Sequence, residues 1–138
     1  MTVPVLLPLL PAAMGVGFVE LGFAISIFGL VSAMLQAPTG YVVDLFGARR
    51  LLMVGLAVGS VGFALLAAFP TYEMLVICMA ITGLANCVYH PADYSILSRG
   101  MNSERMGRAF SIHTFAGYMG NALAPVILVP VAFAFDVR

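Results

Sequence analysis

The sequence predicts an all-α protein whose helices cross a membrane as a polytopic bundle. Of its 138 residues, 62% are hydrophobic and only 9% are charged, whereas a soluble domain carries about 25% charged residues. The few charges also fall between apolar runs of roughly the 20 residues that a helix needs to cross the hydrocarbon core. Twelve charged side chains cannot provide the polar shell of a soluble protein, so we expect lipid to surround the bundle.

The apolar runs predict four complete spans and one partial span within a single domain, residues 1–138. The complete spans cover residues 21–43, 51–69, 74–97 and 109–134. The earlier apolar segment, residues 2–14, is about half as long as a span requires, and its three prolines disfavour a helix on its own. We expect it to be the end of a truncated span.

The arginines predict how the spans are oriented. Five of the six lie in two connections, residues 44–50 and 98–108, and the sixth is Arg138. Cytoplasmic loops of membrane proteins are enriched in Lys and Arg. We therefore expect both Arg-rich connections to face the cytoplasm and the protein to be a multi-pass component of the cell membrane, plasma or inner.

Small or polar residues recur on one face of three predicted helices, and the small ones favour close approach of helix backbones in lipid. The three stripes are Gly22, Ser26, Gly29, Ala33, Gln36 and Gly40; Gly55, Gly59 and Gly62; and His113, Gly117, Gly120 and Ala124. They indicate a packed multi-helix bundle.

Several functional classes do not fit the sequence. The net charge is zero and there is no Lys, so no basic surface for nucleic acid is expected. Cys78 and Cys87 lie in one apolar run and have no paired metal-ligand motif around them. Ser95 lies on a different helix face from His90, which argues against a nucleophile pair. We predict no enzyme activity, no metal and no cofactor.

The connection that begins at Gly40 carries a recognisable motif. The pattern is a glycine, three residues, an aspartate, a basic residue, one residue, a glycine, one residue and two basic residues. Five of its six marked positions are filled, by Gly40, Asp44, Gly47, Arg49 and Arg50. The departure is Leu45, which stands where the pattern has a basic residue. This string resembles the signature loop of the major facilitator superfamily. The resemblance implies a transporter of twelve helices, of which this chain would supply about helices 1–5, with the C-terminal half as a missing partner.

Asp44 has a role that follows from helix electrostatics and another that the resemblance implies. A carboxylate at a helix C-terminus opposes the helix dipole, so it needs nearby cations, and Arg49 and Arg50 are candidates. By resemblance, Asp44 would also contact the start of a helix from the C-terminal half and stabilise the outward-facing state.

A second string narrows the resemblance within the superfamily. Tyr89-His90-Pro91 looks like a variant found in fosmidomycin-resistance-like members. In many drug exporters an Arg lies one turn before a glycine of this helix, whereas here that position, four residues before Gly83, is Met79.

Three ionisable residues form a candidate cluster for proton coupling or gating. His90 and Asp93 are three residues apart on one helix face, together with Asn86, and His113 lies at a similar depth in the next span. Ionisable groups at such depth are costly unless they face water or each other. The alternative is a structural hydrogen-bond network that joins the two helices.

Other polar residues are candidates for lining a central cavity: Gln36, Asn86, Tyr118 and Asn121. Pro38, Pro91 and Pro125 would each free a backbone carbonyl and bend a helix, and such helices often line substrate paths in transporters.

The predicted function is secondary active transport of a small solute by alternating access. We expect this transport to be coupled to protons, and efflux is a candidate direction. Membrane lipid, a small-molecule substrate and protons are the expected partners. The alternative is a small multi-pass scaffold or accessory subunit that transports nothing. The sequence specifies neither the substrate nor the direction.

Overall fold

The computed structural model describes residues 15–134, which form five helices and no strand. They are α1 (Phe18–Phe46), α2 (Ala48–Ala68), α3 (Tyr72–Asn86), α4 (Tyr89–Gly100) and α5 (Ser103–Ala134). The predicted partial span 2–14 lies outside the described residues. The all-α class is confirmed.

Four stretches of these residues are long and apolar enough to cross a membrane: Phe18–Phe46, Ala48–Ala68, Tyr72–Gly100 and Glu104–Val131. The third contains both α3 and α4. The helices reach past the charge-free runs, so that Asp44 belongs to α1 and both Arg49 and Arg50 belong to α2. Charged side chains are tolerated there because a helix end lies near the polar interface.

The chain divides into two compact units. Gly22–Gly100 form the first, with most of α1 and all of α2, α3 and α4. The described part of the second comprises residues 15–21 and 101–134, with α5 as its long helix. Each unit is described by itself below.

Within the first unit, the glycines of α2 face α3. A Cβ added at Gly55 would lie 3.1 Å from the carbonyl oxygen of Ala85, and one at Gly62 would lie 3.1 Å from Cγ2 of Ile81. Both glycines are buried. Because lipid tails are as apolar as the helices, close van der Waals packing of this kind is a main source of association. This small-residue stripe therefore contacts a neighbour.

The face of α1 that packs in this unit is not its small-residue stripe. Ala24, Ser32 and Val43 are the buried residues, whereas a Cβ added at Gly22, Gly29 or Gly40 would meet no atom within 4 Å. The stripe as a packing face is thus wrong for the first unit. Small residues permit close approach but do not direct it.

Helix α3 contributes the glycine that brings it close to α1. A Cβ at Gly83 would lie only 2.7 Å from the carbonyl oxygen of Phe28, a distance that no side chain larger than hydrogen allows. Helix α3 carries six buried residues because it contacts α1 on one side and α2 on the other.

A short break at Cys87 and Val88 separates α3 from α4. Pro91 has no N–H group for the carbonyl of Cys87, and regular bonding resumes at once, with Ala92 N–H donating to the Val88 oxygen at 3.0 Å. Pro38 and Pro125 lie inside α1 and α5, which are uninterrupted. Of the three expected bends, the structure interrupts the helix only near Pro91.

Candidate functional site

The Gly40–Arg50 motif forms a turn of a single residue between two long helices. Asp44 lies in the last turn of α1, Gly47 is the linking residue, and Arg49 and Arg50 lie in the first turn of α2. Gly47 has a φ of +88°, which side-chain-bearing residues rarely adopt. The motif therefore needs glycine here for its backbone angle.

Asp44 forms an ion pair with a residue that the motif does not contain. Arg99 Nη2 lies 3.5 Å from Asp44 Oδ1, and both side chains are more than half exposed. Arg99 is in the last turn of α4, where a cation is favourable to the helix dipole, and it offsets the unfavourable position of Asp44 at the end of α1. The expected partners, Arg49 and Arg50, do not form this pair.

A small apolar cluster holds the ion pair in place. It joins the end of α1, the start of α2 and the first turn of α4, and the fully buried member from α4 is Ala92. Its members are Val43, Ala48 and Ala92, with Leu51, Leu52 and Val88 packed against them. The polar pair is thus positioned by helix packing and not by its own weak attraction, since exposed ion pairs contribute about 0–1 kcal/mol.

Two side-chain bonds connect α1 with the end of α3 and the break that follows. Asn86 Nδ2 donates to Ser32 Oγ at 2.8 Å, and Thr39 Oγ1 lies 3.1 Å from Cys87 Sγ. Asn86, expected to line a cavity, is half-buried between helices, so the structure gives it at least an interhelical role. Ser32 and Thr39 were not singled out from the sequence, because a lone hydroxyl in an apolar run has no distinctive spacing.

The ionisable candidates lie on α4 and α5. His90 is exposed, and its ring centroid is 6.1 Å from that of Tyr94, one turn further along. Asp93 is half-buried on the same helix. His113 belongs to α5 in the other unit, so the grouping of the three remains a prediction.

The remaining cavity candidates are divided between the same two units. Gln36 is half-buried on α1, while Tyr118 and Asn121 are exposed on α5. Their shared cavity also stays a prediction. Over residues 15–134, no cluster of three or more His, Cys, Asp or Glu side chains could hold a metal ion.

Comparison with known proteins decides the family. Residues 1–135 match the sequence model of the Major Facilitator Superfamily. The chain belongs to this superfamily. The match covers nearly the whole chain, and it agrees with the Gly40–Arg50 motif, so the predicted family is confirmed.

Members of the major facilitator superfamily from several bacteria resemble the chain. An uncharacterised MFS-type transporter of Bacillus subtilis is 29% identical, covering 91% of the chain and 30% of the relative. The fosmidomycin resistance protein of Escherichia coli is 29% identical, covering 87% of the chain and 29% of the relative. The multidrug efflux pump LfrA of Mycolicibacterium smegmatis is 31% identical, covering 75% of the chain and 21% of the relative.

The chain therefore spans about 30% of the length of the first two of these transporters. No solved structure matches it. The superfamily and these relatives are transporters and not enzymes, so the chain belongs to a family of multi-pass membrane proteins and the prediction of no enzyme activity is confirmed.

Proposed function

We propose that the chain supplies part of the N-terminal half of a secondary transporter that moves a small solute by alternating access. The observation that carries this proposal is the superfamily match over residues 1–135. The Asp44–Arg99 pair at the motif turn supports it, because it links the end of α1 with the end of α4 at one end of the first unit.

A C-terminal half is the partner that this function requires. Alternating access depends on two halves that rock around a site between them, and the chain covers about 30% of its full-length relatives. Asp44 is more than half exposed, which leaves it accessible to a helix of that half, as the family resemblance implies.

Efflux is the direction we propose. Two relatives carry names that denote export or resistance, the fosmidomycin resistance protein and the multidrug efflux pump LfrA. Fosmidomycin is therefore the first solute to test.

We propose that His90, Asp93 and His113 couple the transport to protons. A histidine changes charge between about pH 5 and 8, and a carboxylate within a membrane helix is costly unless it faces water or a partner. His90 is exposed, so the described residues do not seal its ring from a proton donor or acceptor. Gln36, Tyr118 and Asn121 are proposed to line the solute path.

The test compares fosmidomycin accumulation in cells that produce residues 1–138 alone with cells that produce the chain joined to a C-terminal half. We expect accumulation to fall only with both halves, and to fall less when the transmembrane pH gradient is collapsed. Efflux by residues 1–138 alone would contradict the need for two halves. Unchanged accumulation with both halves would contradict efflux of this solute.

Variants of the two-half protein test the proton step separately. Asp93→Asn should lower efflux at least tenfold and remove its dependence on the pH gradient, because the amide carries no titratable proton. Glu73→Gln, in the first turn of α3, is the matched control and should leave efflux within about twofold. If Asp93→Asn kept the wild-type rate and pH dependence, the proton role of Asp93 would be wrong, while transport itself would stand.

A further inference from the structure

An arginine-lined cavity opens at the end of the first unit where α1, α2 and α4 meet. Its volume is about 600 Å³, within the range of about 300–1,000 Å³ that ligand pockets have. The side chains that matter for its chemistry come from all three helices: Phe46, Arg49, Arg50, Ser95, Ile96 and Arg99. We call this the arginine cavity.

The arginine cavity has an excess of positive charge. Arg99 is paired with Asp44, but within residues 15–134 no carboxylate forms an ion pair with Arg49 or Arg50. Among the described residues, two guanidinium groups therefore have no carboxylate partner beside a cavity that also has a hydroxyl, that of Ser95. Such an arrangement attracts anions.

The start of α2 adds hydrogen-bond donors to the same cavity. Its N-cap residue is Gly47, which has no side chain to accept a bond from the first-turn N–H groups. Ala48, whose N–H belongs to that turn, also lines the cavity. The positive end of the helix dipole and the free N–H groups favour an anion here, in addition to the arginines.

We propose that the arginine cavity binds a phosphate group. Arginine forks hold phosphate oxygens through paired charge-assisted hydrogen bonds, and the Ser95 hydroxyl and the first-turn N–H groups supply further donors. Phe46 and Ile96 give the cavity apolar walls beside the charged groups. The phosphate comes either from an anionic lipid of the membrane or from a soluble phosphate ester.

The position of the cavity makes a lipid the nearer source. Two candidate membrane spans, Phe18–Phe46 and Ala48–Ala68, meet at Gly47, so the cavity lies at the level where a span ends and lipid phosphates begin. Basic pockets between membrane helices bind lipid head groups in this way. The inference concerns a site at the motif turn and does not depend on the solute, the direction or the coupling ion.

The experiment titrates the purified chain, joined to a C-terminal half, in a neutral detergent and measures binding by calorimetry. The probes are dihexanoyl phosphatidic acid, the zwitterionic dihexanoyl phosphatidylcholine, glycerol 3-phosphate and inorganic phosphate. We expect phosphatidic acid to bind at least tenfold more tightly than phosphatidylcholine. Equal affinity for the two lipids, or no binding of any probe, would overturn the proposal.

Paired variants locate the binding. Arg49→Gln with Arg50→Gln should weaken phosphatidic acid binding at least tenfold. Arg49→Lys with Arg50→Lys should have an affinity between those of the wild type and the Gln pair, because lysine keeps the charge but lacks the paired donors of the guanidinium group. Arg105→Gln with Arg108→Gln, in the first turns of α5, is the matched control and should change binding less than twofold. An equal loss of phosphatidic acid affinity in both Gln pairs would show that the lipid is attracted by net charge alone, and this result would overturn the proposed site.

The soluble probes separate the two sources of phosphate. Competition by glycerol 3-phosphate or inorganic phosphate at the concentration of the lipid would support the site with a soluble ligand. Failure of both to compete, with phosphatidic acid still dependent on Arg49 and Arg50, would support it with a lipid. Size-exclusion elution and circular dichroism of each variant verify that the helices stay folded.

Discussion

At the scale of single residues, Gly83 is the glycine of the first unit with the least room for a side chain. An added Cβ would lie 2.7 Å from the Phe28 carbonyl oxygen, whereas one at Gly59 would lie 3.5 Å from the Ala85 Cβ, an ordinary contact. We expect Gly83→Ala to lower the free energy of unfolding by about 1–3 kcal/mol, because α1 must move away. Gly59→Ala should be neutral or stabilising by about 0.4–1 kcal/mol. Unfolding in sodium dodecyl sulfate measures the change in the free energy of unfolding for each variant. Equal changes in the two variants would contradict the close contact between Gly83 and the Phe28 carbonyl oxygen.

The Asn86–Ser32 bond is the second prediction at this scale. A double-mutant cycle with Asn86→Ala and Ser32→Ala should give a coupling energy of about 0.6 kcal/mol and no more than about 1.7 kcal/mol, the range for bonds between membrane helices. Ser60 is the control, because its hydroxyl donates to the Leu56 carbonyl of its own helix. A cycle of Asn86→Ala with Ser60→Ala should give a coupling energy within about 0.5 kcal/mol of zero. Equal coupling in both cycles would contradict a direct Asn86–Ser32 bond.

At the scale of helices, the break between α3 and α4 lies where Pro91 removes a backbone hydrogen bond. Replacing it with alanine restores an N–H group for the Cys87 carbonyl, so Pro91→Ala should join the two helices. The measurement is the ¹³C chemical shift of the Cys87 and Val88 backbone, which should move toward helical values. Pro38→Ala is the control, because α1 is already continuous there, and the shifts of Met34 and Leu35 should stay helical. Unchanged shifts at Cys87 and Val88 would mean that packing, and not proline, causes the break.

The helices were more predictable from the sequence than their contacts. Charge-free runs and Pro91 are local signals, and the helices and the break correspond to them. The packing face of α1 was not predictable, because in lipid both the outside and the inside of a bundle are apolar, so hydropathy does not distinguish them. For the same reason the stripe that includes Gly22 did not predict the packing face of α1 within the first unit, although the glycines of α2 do contact α3.

The candidate site was predictable only where its residues are neighbours in sequence. Asp44, Gly47 and the two arginines after them form a local pattern, and the structure places them in one turn. Arg99 is distant in sequence, and it reaches Asp44 only because Val43, Ala48 and Ala92 pack together. A partner so distant in sequence can be identified only from the tertiary structure.

At the scale of the whole molecule, the described surface is that of a protein in lipid. Leu30, Met34, Leu56 and Val61 are all more than half exposed, and soluble proteins rarely expose apolar patches beyond a few hundred Å². A bilayer removes this cost. The large apolar surface and the few charges at helix ends therefore have the same cause, which is the hydrocarbon around the helices.

The ends of the first unit lead to a prediction about its orientation. The Asp44–Arg99 pair places the α1–α2 turn and the end of α4 at one end. Helix α2 has 21 residues, which at about 1.5 Å each spans the roughly 30 Å hydrocarbon core, so Pro70 lies at the other end. We expect a membrane-impermeant maleimide to label Pro70→Cys in intact spheroplasts, and to label Ser98→Cys only after permeabilisation, because Arg-rich ends stay in the cytoplasm.

The native cysteines provide the background control for this labelling. Cys78 is 0% exposed and Cys87 is 2% exposed, so the unaltered chain should react weakly from either side, and labelling reports the introduced cysteines. Labelling of Ser98→Cys in intact spheroplasts, with Pro70→Cys protected, would mean that the orientation is inverted. Labelling of both from the same side would be incompatible with α2 crossing the membrane, because its two ends could not then be separated by the hydrocarbon core.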